Sequence, residues 1–249
     1  MKATITCCPA ETRSGGRRTW FKQAGAGAAV LMASLALPLE EAEAASLTHA
    51  QRDALTPDAI IALMKKGNER FRAGKMKPQD FLAQKRSSAA GQYPAAVILS
   101  CIDSRAPAEI ILDMGIGDTF NARVAGNIAN KDLMGSLEFA CAAAGAKVVL
   151  VMGHTACGAI KGAIDNVQLG NLTGLLEVIK PAVAATEFGG DRSSKNPAFV
   201  DAVAVTNVKQ TLAALRSGSP VLADLESKGT IRMVGSMYHL NGGMLEFLA

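Results

Sequence analysis

Lys147-Val148-Val149-Leu150-Val151-Met152-Gly153-His154-Thr155-Ala156-Cys157-Gly158 is the stretch that decides the fold. An unbroken apolar run, bounded by Lys147 and Gly153, reads as a strand buried on both faces. Residues 157–164 then carry helical spacing, so a strand runs almost directly into a helix. Upstream, residues 133–144 are helical and stop at Gly145, 119–124 form a strand, and a helix starts at Pro107 and ends before Gly115 and Gly117. Residues 95–100 (AAVILS) repeat the buried-strand pattern. Downstream come helical segments over 172–185 and 199–215, separated by a polar loop at 189–196. A fourth strand spans 230–238, and Asn241-Gly242-Gly243 turns the chain into a short antiparallel edge at 244–248. This alternation predicts an α/β fold with a mostly parallel central sheet covered by helices. In such sheets ligands bind beyond the carboxyl ends of the strands. Residues 47–82 read as a helical arm, capped at Thr56-Pro57 and broken at 74–78.

The chain has 249 residues, 49% of them apolar, enough for one sizeable core. Its net charge of +4 is mild, and no Lys/Arg run is interleaved with aromatics, so nucleic acid is not an expected partner. Arg17-Arg18 precedes Thr19-Trp20-Phe21-Lys22, a mildly apolar stretch over 24–37, Pro38, an acidic cluster and Ala42-Glu43-Ala44. This resembles a twin-arginine export signal, with Trp20 where the usual pattern has Phe. The apolar run is shorter than the roughly 20 residues a membrane span needs. Residues 1–44 are therefore expected to be a removable signal read by twin-arginine export machinery. The mature chain is then exported, to a periplasm, with no stable membrane span. Losing 1–44 takes five of 26 basic and four of 22 acidic residues and leaves a net +3. Cys7 and Cys8 leave with it. The expected mature domain, 45–249, divides into the arm (45–90) and an α/β core (91–249).

The first strand runs into Cys101-Ile102-Asp103-Ser104-Arg105, and the third into Gly153-His154-Thr155-Ala156-Cys157-Gly158. If those strands are neighbours, Cys101, His154 and Cys157 converge at one sheet edge. Three Cys/His ligands with an open fourth place are the pattern of catalytic zinc. His154 and Cys157, three apart, fall on one face of a helical turn, and a helix N-terminus favours the Cys157 thiolate. Each residue also has a plainer role. Two cysteines in an exported protein can form a disulfide, His154 can be a hydrogen-bonded structural histidine, and Asp103 and Arg105 an ordinary ion pair. Cys141 reads as a small buried hydrophobe, and His49 and His239 as structural.

Together, Cys-x-Asp-Ser-Arg and Gly-His-x-x-Cys-Gly, each after a buried strand, strongly resemble the β-class carbonic anhydrases. The resemblance runs from about Gln92 to Leu176 and more weakly over 238–248; Arg123-Val124-Ala125-Gly126-Asn127 resembles the family's Arg-x-x-x-Asn segment. It implies zinc-dependent, reversible hydration of carbon dioxide to bicarbonate by zinc-bound hydroxide, with one Zn2+ per subunit on Cys101, His154 and Cys157. It implies that Arg105 holds Asp103 off the metal as a hydrogen-bond acceptor, although in some members the Asp takes the fourth metal position. Gln92 matches a substrate-contacting glutamine, and Phe120 and Phe139 match aromatics that line the carbon dioxide pocket, often across a dimer interface. Ordinary core packing accounts for both Phe residues equally well. The Gly158 N–H is an oxygen-binding donor on this reading. The family also implies a homodimer or a multiple of dimers, which the arm can embrace. Ile98 stands where bicarbonate-regulated members carry Trp, which argues against that form of closure. Two alternatives keep the same residues: a zinc hydrolase of carbon disulfide or carbonyl sulfide, and a non-catalytic zinc- or disulfide-stabilised binding module.

Overall fold

The apolar run after Lys147 forms the middle strand of a five-stranded sheet in the computed structural model, which describes residues 45–248. The proposed signal, residues 1–44, lies outside the described residues. The strands are β1 (Ala96–Ser100), β2 (Thr119–Arg123), β3 (Val148–His154), β4 (Arg232–Tyr238) and β5 (Leu245–Phe247), in the order β2-β1-β3-β4-β5. Every pairing is parallel except β4 with β5. β1 and β3 are buried along their whole length, which is why neither shows polar alternation. β2, at the edge, is only partly covered.

Before the sheet comes the arm: α1 (His49–Ala54), α2 (Pro57–Arg72) and α3 (Phe81–Ser88). Thr48, Thr56 and Asp80 each accept a backbone N–H at the start of a helix, the task for which short oxygen-bearing side chains are suited. The short α4 (Ala108–Ile111) comes after β1. After β2 come α5 (Lys131–Glu138), then α6 (Gly158–Ile164), α7 (Gly170–Ala185), α8 (Pro197–Gly218) and α9 (Pro220–Ser227). The two faces of the sheet bury separate cores. Val97, Leu99, Val149 and Val151 pack with residues of α5 to α9, while Ile98, Leu150 and Met152 pack with α2 and α4. Cys101 continues the first set.

The arm docks closely. A Cβ on Gly67 of α2 would sit 1.8 Å from the Leu112 carbonyl oxygen, so only glycine permits this approach. Next to it, buried Asn68 donates Nδ2 to Ile111 O (3.2 Å) and Gly243 O (2.8 Å), and accepts Leu245 N–H (2.8 Å). One amide thus joins the arm, the end of α4 and the turn into β5.

The sequence-based element boundaries differ in three places. α3 runs past the expected end of the arm's helical reading at residue 82, to Ser88. It starts afresh from its own cap, Asp80. Only Ser219 separates α8 from α9, and the start of α9 is encoded by Ser219-Pro220, whose Ser219 hydroxyl accepts Leu222 N–H at 3.2 Å. The helix expected over 133–144 ends as α5 at Glu138 and continues as a π-helical turn, Phe139–Ala143, closed by Ala144 N–H to Phe139 O at 3.0 Å. Small residues at 140 and 142–144 tolerate the wider turn. Among the described residues, no helix is long and apolar enough to cross a membrane.

Asn68→Ala strands two carbonyls and one N–H in the core. We expect it to cost about 2–3 kcal/mol of stability, read as a lower urea midpoint at unchanged m-value; a midpoint within error of the parent would refute this role.

Candidate metal centre

Ser100 pairs in register with Met152, so Cys101 leaves β1 beside Gly153, one step before His154. Cys157 is the N-cap residue of α6. The ligand atoms of Cys101, His154 and Cys157 all lie within 4.8 Å of one another, and all three residues are buried. Cys101, Cys141 and Cys157 are free thiols.

Each ligand is oriented by its own neighbours. His154 Nδ1 lies 2.9 Å from Thr155 O. A carbonyl only accepts, so Nδ1 carries the proton and Nε2 presents a lone pair. That Nε2 is buried and has no hydrogen-bond partner among the described residues. Thr155 is fixed in turn by the end of β4 and by Leu240 beyond it: its N–H donates to Tyr238 O (3.0 Å) and its hydroxyl accepts Leu240 N–H (3.0 Å). Cys101 Sγ accepts the Gly126 N–H at 3.3 Å. Gly126 has φ +69°, and a Cβ there would sit 2.6 Å from Ile179 Cδ1, so only glycine fits. Asn207 on α8 holds its carbonyl through Nδ2 (2.7 Å). Cys157 makes no side-chain capping bond, although the Ile160 and Ala159 N–H groups at the start of α6 favour its charged form.

The thiols share their charge unequally. The hydrogen bond from Cys157 pulls the Cys101 pKa down to about 4, against the effect of burial and with help from His154 and the Gly126 N–H. Its hydrogen bond to Cys101, together with burial, pushes Cys157 above the ordinary thiol range. Burial opposes a charge on His154, but the adjacent Cys101 sulfur, with Thr155 O and Asp103, outweighs it and raises its pKa. A buried imidazole lone pair aimed at two thiols, one readily ionised, fits zinc: soft sulfur and borderline nitrogen donors, with a carbonyl orienting the ring.

Asp103 stands beside this group. Arg105 donates Nε to Oδ1 (3.0 Å), Nη2 to Oδ2 (2.8 Å) and its own N–H to Oδ1 (2.9 Å). The guanidinium holds the carboxyl well below the usual carboxylate range. Such a depressed group is ionised at neutral pH, and its pairing weakens only as pH falls through the lowered value. Oδ2 is 3.8 Å from His154 Nε2. Arg123 fixes the loop backbone, donating Nε to Cys101 O (2.8 Å) and Nη2 to Asp103 O (2.6 Å).

The other expected site residues take varied places in the fold. Gly158 is the first residue of α6. Phe120 and Phe139 form an edge-to-face pair, centroids 6.2 Å apart, and Phe139 is 37% exposed. Gln92 is not brought to the metal group of its own chain. It is exposed in the loop before β1, whereas Cys101 lies just past the other end of that five-residue strand, about 16 Å of rise away. Ile98 is wholly buried in the core. Cys141 is buried, and desolvation pushes its thiol up to about 12. His49 faces Asp53 (3.1 Å) and His239 faces Glu246 (3.1 Å), and neither belongs to the metal group. The roles of Thr155, Arg123 and Asn207 were not read from the sequence. For Asn207 a signal existed: it is an amide among the apolar residues of α8.

Substituting Ser for Cys101 or Cys157, or Ala for His154, is expected to lower zinc content from stoichiometric to under about a tenth of that. Inductively coupled plasma analysis of dialysed protein reads this; variants that retain stoichiometric zinc would remove these residues from the ligand set.

The sequence profile of the carbonic anhydrase family matches residues 96–245. Carbonic anhydrase 2 of Mycobacterium tuberculosis is 35% identical over 189 residues, 75% of this chain and 90% of that protein. The carbonic anhydrase of Mycolicibacterium smegmatis is 33% identical over 192 residues, 76% of this chain and 92% of its own. Among solved structures, the β-carbonic anhydrase CafA of Aspergillus fumigatus matches with a TM-score of 0.59 at 28% identity, covering 77% of this chain and 89% of that one. A tetrameric β-carbonic anhydrase of Sordaria macrospora shares the fold, with a TM-score of 0.57 at 24% identity over 65% of this chain and 83% of its own. The Cys-His-Cys group thus stands in a chain that belongs to the carbonic anhydrase family, in its β class.

Proposed function

We propose that the protein hydrates carbon dioxide reversibly to bicarbonate at a zinc ion held by Cys101, His154 and Cys157. The observation that carries this is the buried donor triangle, with its unpartnered Nε2, next to a carboxylate held ionised by Arg105. Bound there, zinc supplies a Lewis acid for water, weaker with two thiolate ligands than with neutral ones, so turnover is expected to rise into mildly alkaline pH. Asp103, kept an acceptor by Arg105, takes a hydrogen bond from the reacting water and aims its lone pair at the substrate carbon. The Gly158 N–H donates to a product oxygen, and Phe120 and Phe139 supply an apolar wall that excludes competing water.

The position of Gln92 supports a site shared between subunits. A two-fold pairing of β2 edges runs the two sheets antiparallel. That sets the amino end of one β1 near the carboxyl end of the other, so Gln92 of the partner subunit reaches this chain's metal group. Exposed apolar residues by that edge, Ile102 and Ile116 among them, suit such cover. Active protein is accordingly a homodimer or a multiple of dimers.

Stopped-flow hydration on protein of known zinc content tests both points. The parent should turn over carbon dioxide, and Gln92→Ala and Cys101→Ser should each be severely impaired. Unfolded and refolded together, the two variants should recover roughly a quarter of parental turnover, the statistical share of intact sites. No recovery would sink the shared site, and zinc-loaded parent that hydrolyses carbon disulfide without hydrating carbon dioxide would sink the assigned reaction.

Residues 1–44 support a second proposal, that the chain is exported folded and leaves a mature protein of 45–249. Replacing Arg17 and Arg18 together by Lys should leave the precursor in the cytoplasm when cell fractions are blotted. Unchanged export would overturn it.

A further inference from the structure

Only Thr155 and Ala156 separate the end of β3 from the N-cap of α6. Within that turn the chain must reverse so that His154 Nε2 and Cys157 Sγ face one point. Thr155 is anchored on both sides, through its N–H to Tyr238 O and its hydroxyl from Leu240 N–H. The remaining joint is Ala156, and its backbone is left-handed, with φ +55°. Among the described residues, four non-glycines have positive φ: Asp113, Asn127, Ala156 and Asn166. The other three are Asp or Asn, whose short polar side chains suit this region. Ala156 has no such side chain, so what holds it must come from outside the turn.

That support is Asp201, in the second turn of α8, whose Oδ1 accepts the Ala156 N–H at 2.8 Å across 45 residues of chain. We infer that Asp201 is a positioning residue for the metal: by holding Ala156 left-handed, it sets the spacing of His154 Nε2 and Cys157 Sγ without touching either. The same helix supplies Asn207, which holds Gly126 against the Cys101 sulfur. α8 is therefore the frame on which the surroundings of both sulfurs are set. This inference rests on the metal-binding reading, and its test uses metal ions alone.

Zinc affinity by chelator competition, and the visible spectrum of Co2+-loaded protein, are compared across variants. The parent must bind both ions; if it does not, the metal reading itself fails. Asp201→Ala should weaken zinc about 10–100-fold, as the loss of an orienting partner does, and shift the thiolate-to-cobalt bands. Asp201→Asn keeps the oxygen acceptor and should stay within about threefold of the parent. Glycine adopts left-handed backbone freely, so Ala156→Gly combined with Asp201→Ala should recover most of the lost affinity and the parental spectrum. A purely structural Asp201 would lower the melting temperature while leaving affinity and spectrum of the folded protein unchanged, and that result overturns the inference. So does Asp201→Asn binding as weakly as Asp201→Ala. Should Asp201→Ala not fold, the double variant decides: restored fold and metal binding uphold the inference, and no restoration overturns it.

Discussion

The parallel, in-register pairing of β1 with β3 is the constraint on which the rest depends. Two neighbouring parallel strands end side by side, so residues just past their carboxyl ends are brought together whatever their distance in sequence. Ser100 opposite Met152 fixes that geometry, and the meeting of Cys101 with His154 is its consequence. A one-residue slip would send every β3 side chain to the other face. It would exchange the Val149-Val151 core for the Leu150-Met152 core and carry His154 away from Cys101. The two separately packed cores therefore do more than stabilise the sheet. They hold the register that assembles the metal group.

That group is costly for the metal-free protein. A buried nitrogen lone pair with no donor forfeits about 1–3 kcal/mol, and an ionised thiol beside a neutral one is tolerated only because N–H groups point at the sulfurs. The Gly126 N–H donates to Cys101, and the N–H groups at the start of α6 favour charge on Cys157. Binding free energy at such a site is also folding free energy. The arrangement is stiff because each element it uses is tied to a third one. Arg123 on the edge strand holds the carbonyls of Cys101 and Asp103, α8 holds the Gly126 turn, and the residues after β4 hold Thr155.

Much of this was legible in the sequence because it is encoded locally. The interior strands announced themselves by unbroken apolar runs, the helices by Thr56-Pro57 and Gly145, and the Cys101, His154 and Cys157 group by two short motifs at strand ends. What was not legible is encoded in tertiary contact. Nothing near Arg123 says that its guanidinium bends back to a loop 22 residues earlier. Nothing near Asp201 says that its partner is Ala156, and Ala156 reads as an unremarked helix former until its φ is known. The motif resemblance named Gln92, but only the sheet shows that it lies at the far end of β1 from Cys101. α9 was missed although Ser219-Pro220 encoded it, because an apolar helix on either side blurred the break.

The two sulfurs also have an alternative fate that geometry alone leaves open. Lying within 4.8 Å, with one poised as thiolate, they form the pair from which a disulfide is made under oxidising conditions. The thiolate is both the better metal ligand and the better nucleophile, so zinc and oxidation compete for the same lone pair. If residues 1–44 direct export of an already folded chain, the competition is decided in the reducing cytoplasm, where zinc meets free thiols. Metal bound there engages both sulfurs and the otherwise unpartnered Nε2 at once. An oxidised pair would satisfy the sulfurs alone and leave the buried imidazole uncompensated. The same histidine that makes the metal-free state costly therefore biases the site toward metal.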